Sequence, residues 1–139
     1  MEAMGPAHRG RVAAGRGFAS DRMALEPVHQ GLQALAGGIG MVPGTLNLLL
    51  DLPFVGFLPF YVTEADLGVT VWTDHAPARK GLSIGRALIA GRYRGLILRG
   101  DEPDYPANQV EIACEVRLRE HLGLADGDRL DFRLVDSFR

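Results

Sequence analysis

The sequence predicts a mainly β protein, a small barrel with one or two short helices. Eighteen glycines and eight prolines in 139 residues place a turn former every few positions. The apolar residues between them fall in short runs, several of which alternate with a period of two, as a half-buried strand does. Only two stretches show a helical period, too few for the repeated strand–helix units of a parallel sheet. The mass of 15.0 kDa fits one domain with its own core. That domain is assigned to residues 8–136, after a loose tail over 1–7.

Residues 8–14 read as the first strand, ending in the turn former Gly15-Arg16-Gly17. Pro27 suits the first turn of a helix over 27–36, with Val28, Leu32 and Leu35 on one face and Gly37-Gly38 as its stop. Leu46, Leu48 and Leu50 alternate as the buried face of the next strand, which turns Thr45 and Asn47 together to the opposite side. Residues 52–80 read as an apolar loop, a strand near 69–72 and a polar hairpin tip near 74–80. Within them Phe54, Phe57, Phe60 and Trp72 read as core, a cover over a bound ring being the alternative. Residues 84–89 and 96–99 pair as a hairpin joined through 91–95, and 110–114 form a further strand. Residues 115–122 suit a helix with Val116, Leu118 and Leu122 apolar and Gly123 as its stop. Asp126-Gly127 then turns the chain into a last strand, on which Leu130, Phe132 and Leu134 alternate.

Composition excludes several classes of function. Apolar residues make up 47% and charged residues 23%, a globular balance that rules out general disorder. A formal charge of -2 gives no attraction to nucleic acid or to an anionic membrane. Cys114 is the single cysteine, expected as a buried thiol, so neither an intrachain disulfide nor a paired-cysteine metal knuckle can form. Residues 1–17 lack the continuous apolar run of a secretory signal. The most apolar stretch, 41–62, is broken by Pro43, Asn47, Asp51, Pro53 and Pro59 and does not read as a membrane span. The expectation is a cytoplasmic monomer without nucleic-acid or membrane partners. His8, His29, His75 and His121 have no metal-ligand spacing, and Ser20 and Ser83 lack the context of a hydrolase nucleophile.

Three constellations carry chemistry. Gly15-Arg16-Gly17-Phe18-Ala19-Ser20 is a glycine-rich loop of the sort whose backbone N–H groups cradle a phosphate, although plain tight turns use the same residues. It lacks the lysine and serine or threonine of a P-loop. Thr45 and Asn47 set two neutral oxygens on one strand face, which suits a hard cation such as Mg²⁺ when phosphates bring the charge; a solvated face is the plainer reading. Glu111 and, beyond it, Arg117-Leu118-Arg119 at a helix start form the third: a carboxylate to orient a polar ligand and two arginines for an anion, or a surface helix with Glu120 as local partner.

In order and spacing, Gly15-x-Gly17-x-Ala19, Pro43-Gly44-Thr45-Leu46-Asn47, Glu111-Ile112, Arg117-Leu118-Arg119-Glu120 and Leu122-Gly123-Leu124-x-Asp126-Gly127-Asp128 resemble the CTP-dependent riboflavin kinases of archaeal type. The resemblance runs from about Arg9 to Leu134 and is thin between 52 and 83. It implies a cradle-loop β-barrel that moves the γ-phosphoryl group of CTP to the 5′-hydroxyl of riboflavin, giving FMN and CDP. Carried over by position, Gly15, Arg16, Gly17, Phe18, Ala19, Ser20 and Asp21 would hold the cytidine nucleotide together with Val116, Arg117, Leu118 and Arg119. Thr45 and Asn47 would ligate Mg²⁺, while Glu111 and Asp104, beside Tyr105, would contact the flavin. Thr45, Asn47 and Glu111 are thus the expected catalytic set, with Glu111, Glu64 and Asp66 as candidate bases. Three positions depart from the family pattern. Ser20-Asp21-Arg22 stand where it carries a basic or small residue and an aromatic, Glu115 replaces a proline, and Asp104 replaces a threonine. They leave open a nucleotide or flavin sensor without turnover, or a kinase with another acceptor.

Overall fold

The computed structural model of the chain describes residues 4–13, 26–42, 45–63, 81–101 and 103–138. Their elements are β1 (Met4–Ala13), α1 (Glu26–Leu35), β2 (Leu46–Leu50), β3 (Phe60–Thr63), β4 (Gly81–Ile89), β5 (Tyr93–Gly100), β6 (Gln109–Cys114), α2 (Leu118–Leu122) and β7 (Arg129–Val135). The strands run in the order β3-β4-β5-β6-β2-β1-β7, every pairing is antiparallel, and β7 returns to β4. Six strands therefore close a ring, which leaves no free edge along most of the sheet. β4 achieves the closure by sharing one edge. Its first residues pair with β3, Phe60 opposite Ile84, while Ala87, Leu88 and Ile89 pair with Leu134, Arg133 and Phe132 of β7.

Two apolar clusters divide the interior. Inside the ring lie Leu46, Leu48 and Leu50 with Ile89, Ile97, Val110, Ile112, Leu130 and Phe132. Outside it, Leu32 of α1 and Ala36 just after it cover Leu82, Ile84, Leu96, Leu98 and Ala113. This second layer explains why Leu96-Ile97-Leu98 does not alternate with polar residues: β5 is buried on both faces. The α1 helix ends where its sequence predicts, with Gly37 and Gly38 both at positive φ. The β4–β5 turn does the same at Ala90 and Gly91, and the Ile89 carbonyl accepts from the Arg92 N–H at 3.0 Å.

Several expectations shift. β1 begins at Met4, so residues 4–7 are strand, with Met4 opposite Val135. α2 is five residues long and begins at Leu118, because Glu115 folds back to Arg94 instead of opening a helix turn. Phe54 and Phe60 pack on the core, but Phe57 is 79% exposed and does not. β3 falls within a stretch read as apolar loop. The strand near 69–72, the tip near 74–80 and Trp72 lie outside the described residues. No helix among the described residues is long and apolar enough to cross a membrane.

Candidate active site

The β2–β6 pair builds the site. Its register sets Asn47 opposite Glu111 and Leu46 opposite Ile112, so the leucine alternation of β2 carries Asn47 beside the carboxylate. Glu111 is fully buried. A carboxylate removed from water needs hydrogen-bond donors, and two hydroxyls supply them. Thr45 Oγ1 donates to Oε1 and Tyr105 Oη donates to Oε2, each at 3.1 Å. Burial first, and the Glu111 charge second, push the Tyr105 phenol well above its ordinary range, so it remains a donor. Asn47 is buried too, and its Oδ1 has no hydrogen-bond partner among the described residues. The plainer expectation of a solvated Thr45–Asn47 face is therefore wrong for Asn47. A buried amide oxygen without a partner carries a desolvation cost of about 1–3 kcal/mol, which a ligand can relieve.

A cleft of about 410 Å³ opens at this place, lined by Val42, Thr45, Leu46, Ile112, Cys114, Val116, Arg117, Leu118, Arg119 and Glu120. It brings the candidate metal residue Thr45 and the whole Val116–Arg119 segment to one wall. Arg119 is held there by Asp126 at 2.6 Å and reaches the Ala13 carbonyl at 3.5 Å. Arg117 is exposed and lies 3.8 Å from Glu120. With only five residues, α2 offers little dipole, so anion attraction at this wall rests on the two guanidiniums. The Asp126-Gly127-Asp128 tail is architectural as well. Gly127 takes φ 90°, its N–H donates to the Val12 carbonyl, and Asp128 Oδ2 caps the Ala125 N–H.

The glycine loop, Gly15 to Asp21, lies outside the described residues, as do Glu64 and Asp66. The residue two before that loop, Ala13, pairs with Asn47, so β1 delivers the chain to the same corner of the barrel. Asp104 is exposed in the turn before Tyr105. Tyr105 is the residue that sequence reasoning passed over, having served only as a landmark for Asp104. Cys114 is buried as expected; burial raises its thiol above the usual range, and its Sγ donates to the Arg94 carbonyl. His8 stacks on Phe132 and Phe54, and His121 sits edge-on to Tyr93. No cluster of three or more His, Cys, Asp or Glu that could hold a metal occurs among the described residues. A second cleft, of about 580 Å³ by Val55, Phe57, Phe60 and Arg86, contains none of the expected site residues.

Fold and site define a closed antiparallel barrel with a cleft, apolar in most of its lining, between its β2–β6 seam and a short helix. The model of the CTP-dependent riboflavin kinase family, described as the domain of unknown function DUF120, matches residues 12–134. The chain belongs to that family. It is 30% identical over 129 residues to a riboflavin kinase of Methanocella arvoryzae, covering 93% of this chain and 57% of the relative. It is 27% identical over 125 residues to a riboflavin kinase of Pyrobaculum islandicum, covering 90% and 58%. A riboflavin kinase of Aeropyrum pernix shares 44% identity over 48 residues, 34% of this chain and 36% of the relative. The chain thus spans under two thirds of the length of the curated relatives it matches.

Proposed function

We propose that this barrel is a riboflavin kinase that uses CTP and Mg²⁺, giving FMN and CDP. Family membership and the names of the relatives support the reaction class. The observation that carries the site is the orphaned Asn47 Oδ1, two residues along the chain from Thr45, which lines the cleft with Arg117 and Arg119. Two neutral oxygens fit a small hard cation whose charge the triphosphate balances. A bound Mg²⁺, held by Thr45 Oγ1 and Asn47 Oδ1, would neutralise charge on the transferring phosphates.

The chain's own residues position the reactants. Arg119, fixed by Asp126, and Arg117 attract the phosphates into the cleft. Glu111 accepts from the Thr45 hydroxyl and from Tyr105, beside the turn that carries Asp104; Glu111 and Asp104 would meet the flavin. The riboflavin 5′-hydroxyl oxygen then attacks Pγ, the bond from Pγ to the bridging oxygen breaks, CDP leaves with that oxygen, and the hydroxyl proton passes to solvent water. Such transfer depends on alignment and charge neutralisation more than on covalent help. A reduced buried thiol suits the cytoplasm.

Asp104, standing where the family carries threonine, favours a second reading: the same kinase chemistry on a different alcohol. The test is purified protein with riboflavin, Mg²⁺ and either CTP or ATP, with FMN read by chromatography. FMN from CTP and not from ATP supports donor and acceptor together. No FMN from either, with CTP still bound by calorimetry, selects another acceptor or a sensor.

A further inference from the structure

We propose that Tyr105 is the positioning residue for the cation site, acting through Glu111 on Thr45. This rests on the reading that Thr45 is a cation ligand. A hydroxyl has one proton and two lone pairs, so it ligates a cation well only when its proton is committed elsewhere. Here that proton goes to Glu111 Oε1, at 3.1 Å. A carboxylate held by one oxygen turns easily about its last torsion, which is broad and two-fold. The second oxygen therefore matters as well, and Tyr105 Oη donates to it, also at 3.1 Å.

Tyr105 is itself immobilised. It is only 8% exposed, and the Arg99 guanidinium lies over its ring at 5.1 Å. Its phenol O–H is directed to Glu111. Tyr105 and Thr45 are far apart in sequence and touch opposite oxygens of one buried carboxylate. The result is a fixed Tyr105–Glu111–Thr45 chain from the turn carrying Asp104 to the cation ligand. An orientation set in this way is the supporting contact that ligands of metal sites commonly need, and its loss typically weakens metal binding by 10–100-fold.

The experiment titrates Mn²⁺, a paramagnetic stand-in for Mg²⁺, into the protein with CDP present and reads free Mn²⁺ by electron paramagnetic resonance. CDP cannot donate a γ-phosphoryl group, so binding is read without turnover. Tyr105→Phe is expected to weaken Mn²⁺ binding about tenfold. In the kinase assay it should raise the Mg²⁺ requirement in parallel and leave KM for CTP within about twofold. Tyr93→Phe, at an equally buried tyrosine outside the cleft, is expected to bind Mn²⁺ as the wild type does. In a Thr45→Ala background Tyr105→Phe should have no further effect, a coupling that a merely structural role would not produce. Wild-type Mn²⁺ affinity in folded Tyr105→Phe, or a full effect without Thr45, overturns the proposal. If Tyr105→Phe does not fold, Arg99→Met, which removes the guanidinium over the Tyr105 ring, replaces it, with a loss of about threefold expected and wild-type affinity again overturning the idea. A wild type that makes no FMN but shows the Mn²⁺ effect refutes the kinase reading alone. FMN formation with no Tyr105 effect refutes this inference alone.

Discussion

Asn47 and Glu111 face each other across two strands and answer burial in opposite ways. Glu111 is satisfied by two hydroxyls, whereas Asn47 keeps one oxygen without a partner. An orphaned buried acceptor lowers stability and is retained where a ligand uses it. Replacing both Thr45 and Asn47 by alanine should therefore lower FMN formation by about 10³-fold or more, since the cation loses both protein oxygens. Asn47→Ala alone, in metal-free buffer, should keep Tm within about 3 °C of wild type, because the packing lost with the carboxamide is offset by removal of its unpaired oxygen. Calorimetry with a chelator present measures that balance. His8 gives the pH prediction. Burial against Phe54 and Phe132 lowers its pKa below the ordinary 6.5, so the unfolded chain binds the proton more readily. Its contribution is complete above about pH 6.5 and is lost as pH falls from there through the lower folded value. Chemical denaturation across that window should show stability falling with pH, with a shallower fall in His8→Phe.

Among the elements, the α2 region shows how a sequence motif divides between chemistry and architecture. The apolar pattern of 115–122 suggests a longer helix, but Glu115 is taken by the Arg94 side chain and backbone, which leaves Val116 in a bend and Arg117 extended at the cleft. That local contest between a helix turn and an ion pair is settled by a residue on β5, so no reading of 115–122 by itself could find it. The Asp-Gly-Asp tail acts through Arg119, held at 2.6 Å by Asp126. Asp126→Asn weakens this partly exposed pair without touching the cation ligands. It should raise KM for CTP about three- to tenfold and leave kcat within about twofold, read from steady-state FMN formation. β3 was missed for a plainer reason: four residues paired on one edge give too short an alternation to separate from a loop.

For the whole molecule, closure depends on β4 dividing one edge between β3 and β7. β5 and β6 are paired on both edges and buried on both faces, whereas β3 is short and, among the described residues, paired only with β4. Amide exchange should be slowest at Ile97 and Ile112 and faster at Val62 by about 10³-fold or more, as local opening of an edge costs far less than global unfolding. Mass spectrometry or NMR of the exchanging protein measures the contrast. Period-two alternation, glycine stops and turn pairs are local rules, and they were enough to find most strands, both helix stops and the barrel class. Thr45, Asn47, Glu111 and Arg119 stand in short local patterns visible in the sequence, but the roles proposed for them come from the family resemblance rather than from spacing. Their joint action was not legible there, since partner choice across strands depends on register and burial, which link positions as distant as Thr45 and Glu111. Residue types and turns follow from the chain's local chemistry. That Glu111 is dry, that Tyr105 holds it and that Asn47 is left with an open oxygen arise only when the ring closes and excludes water.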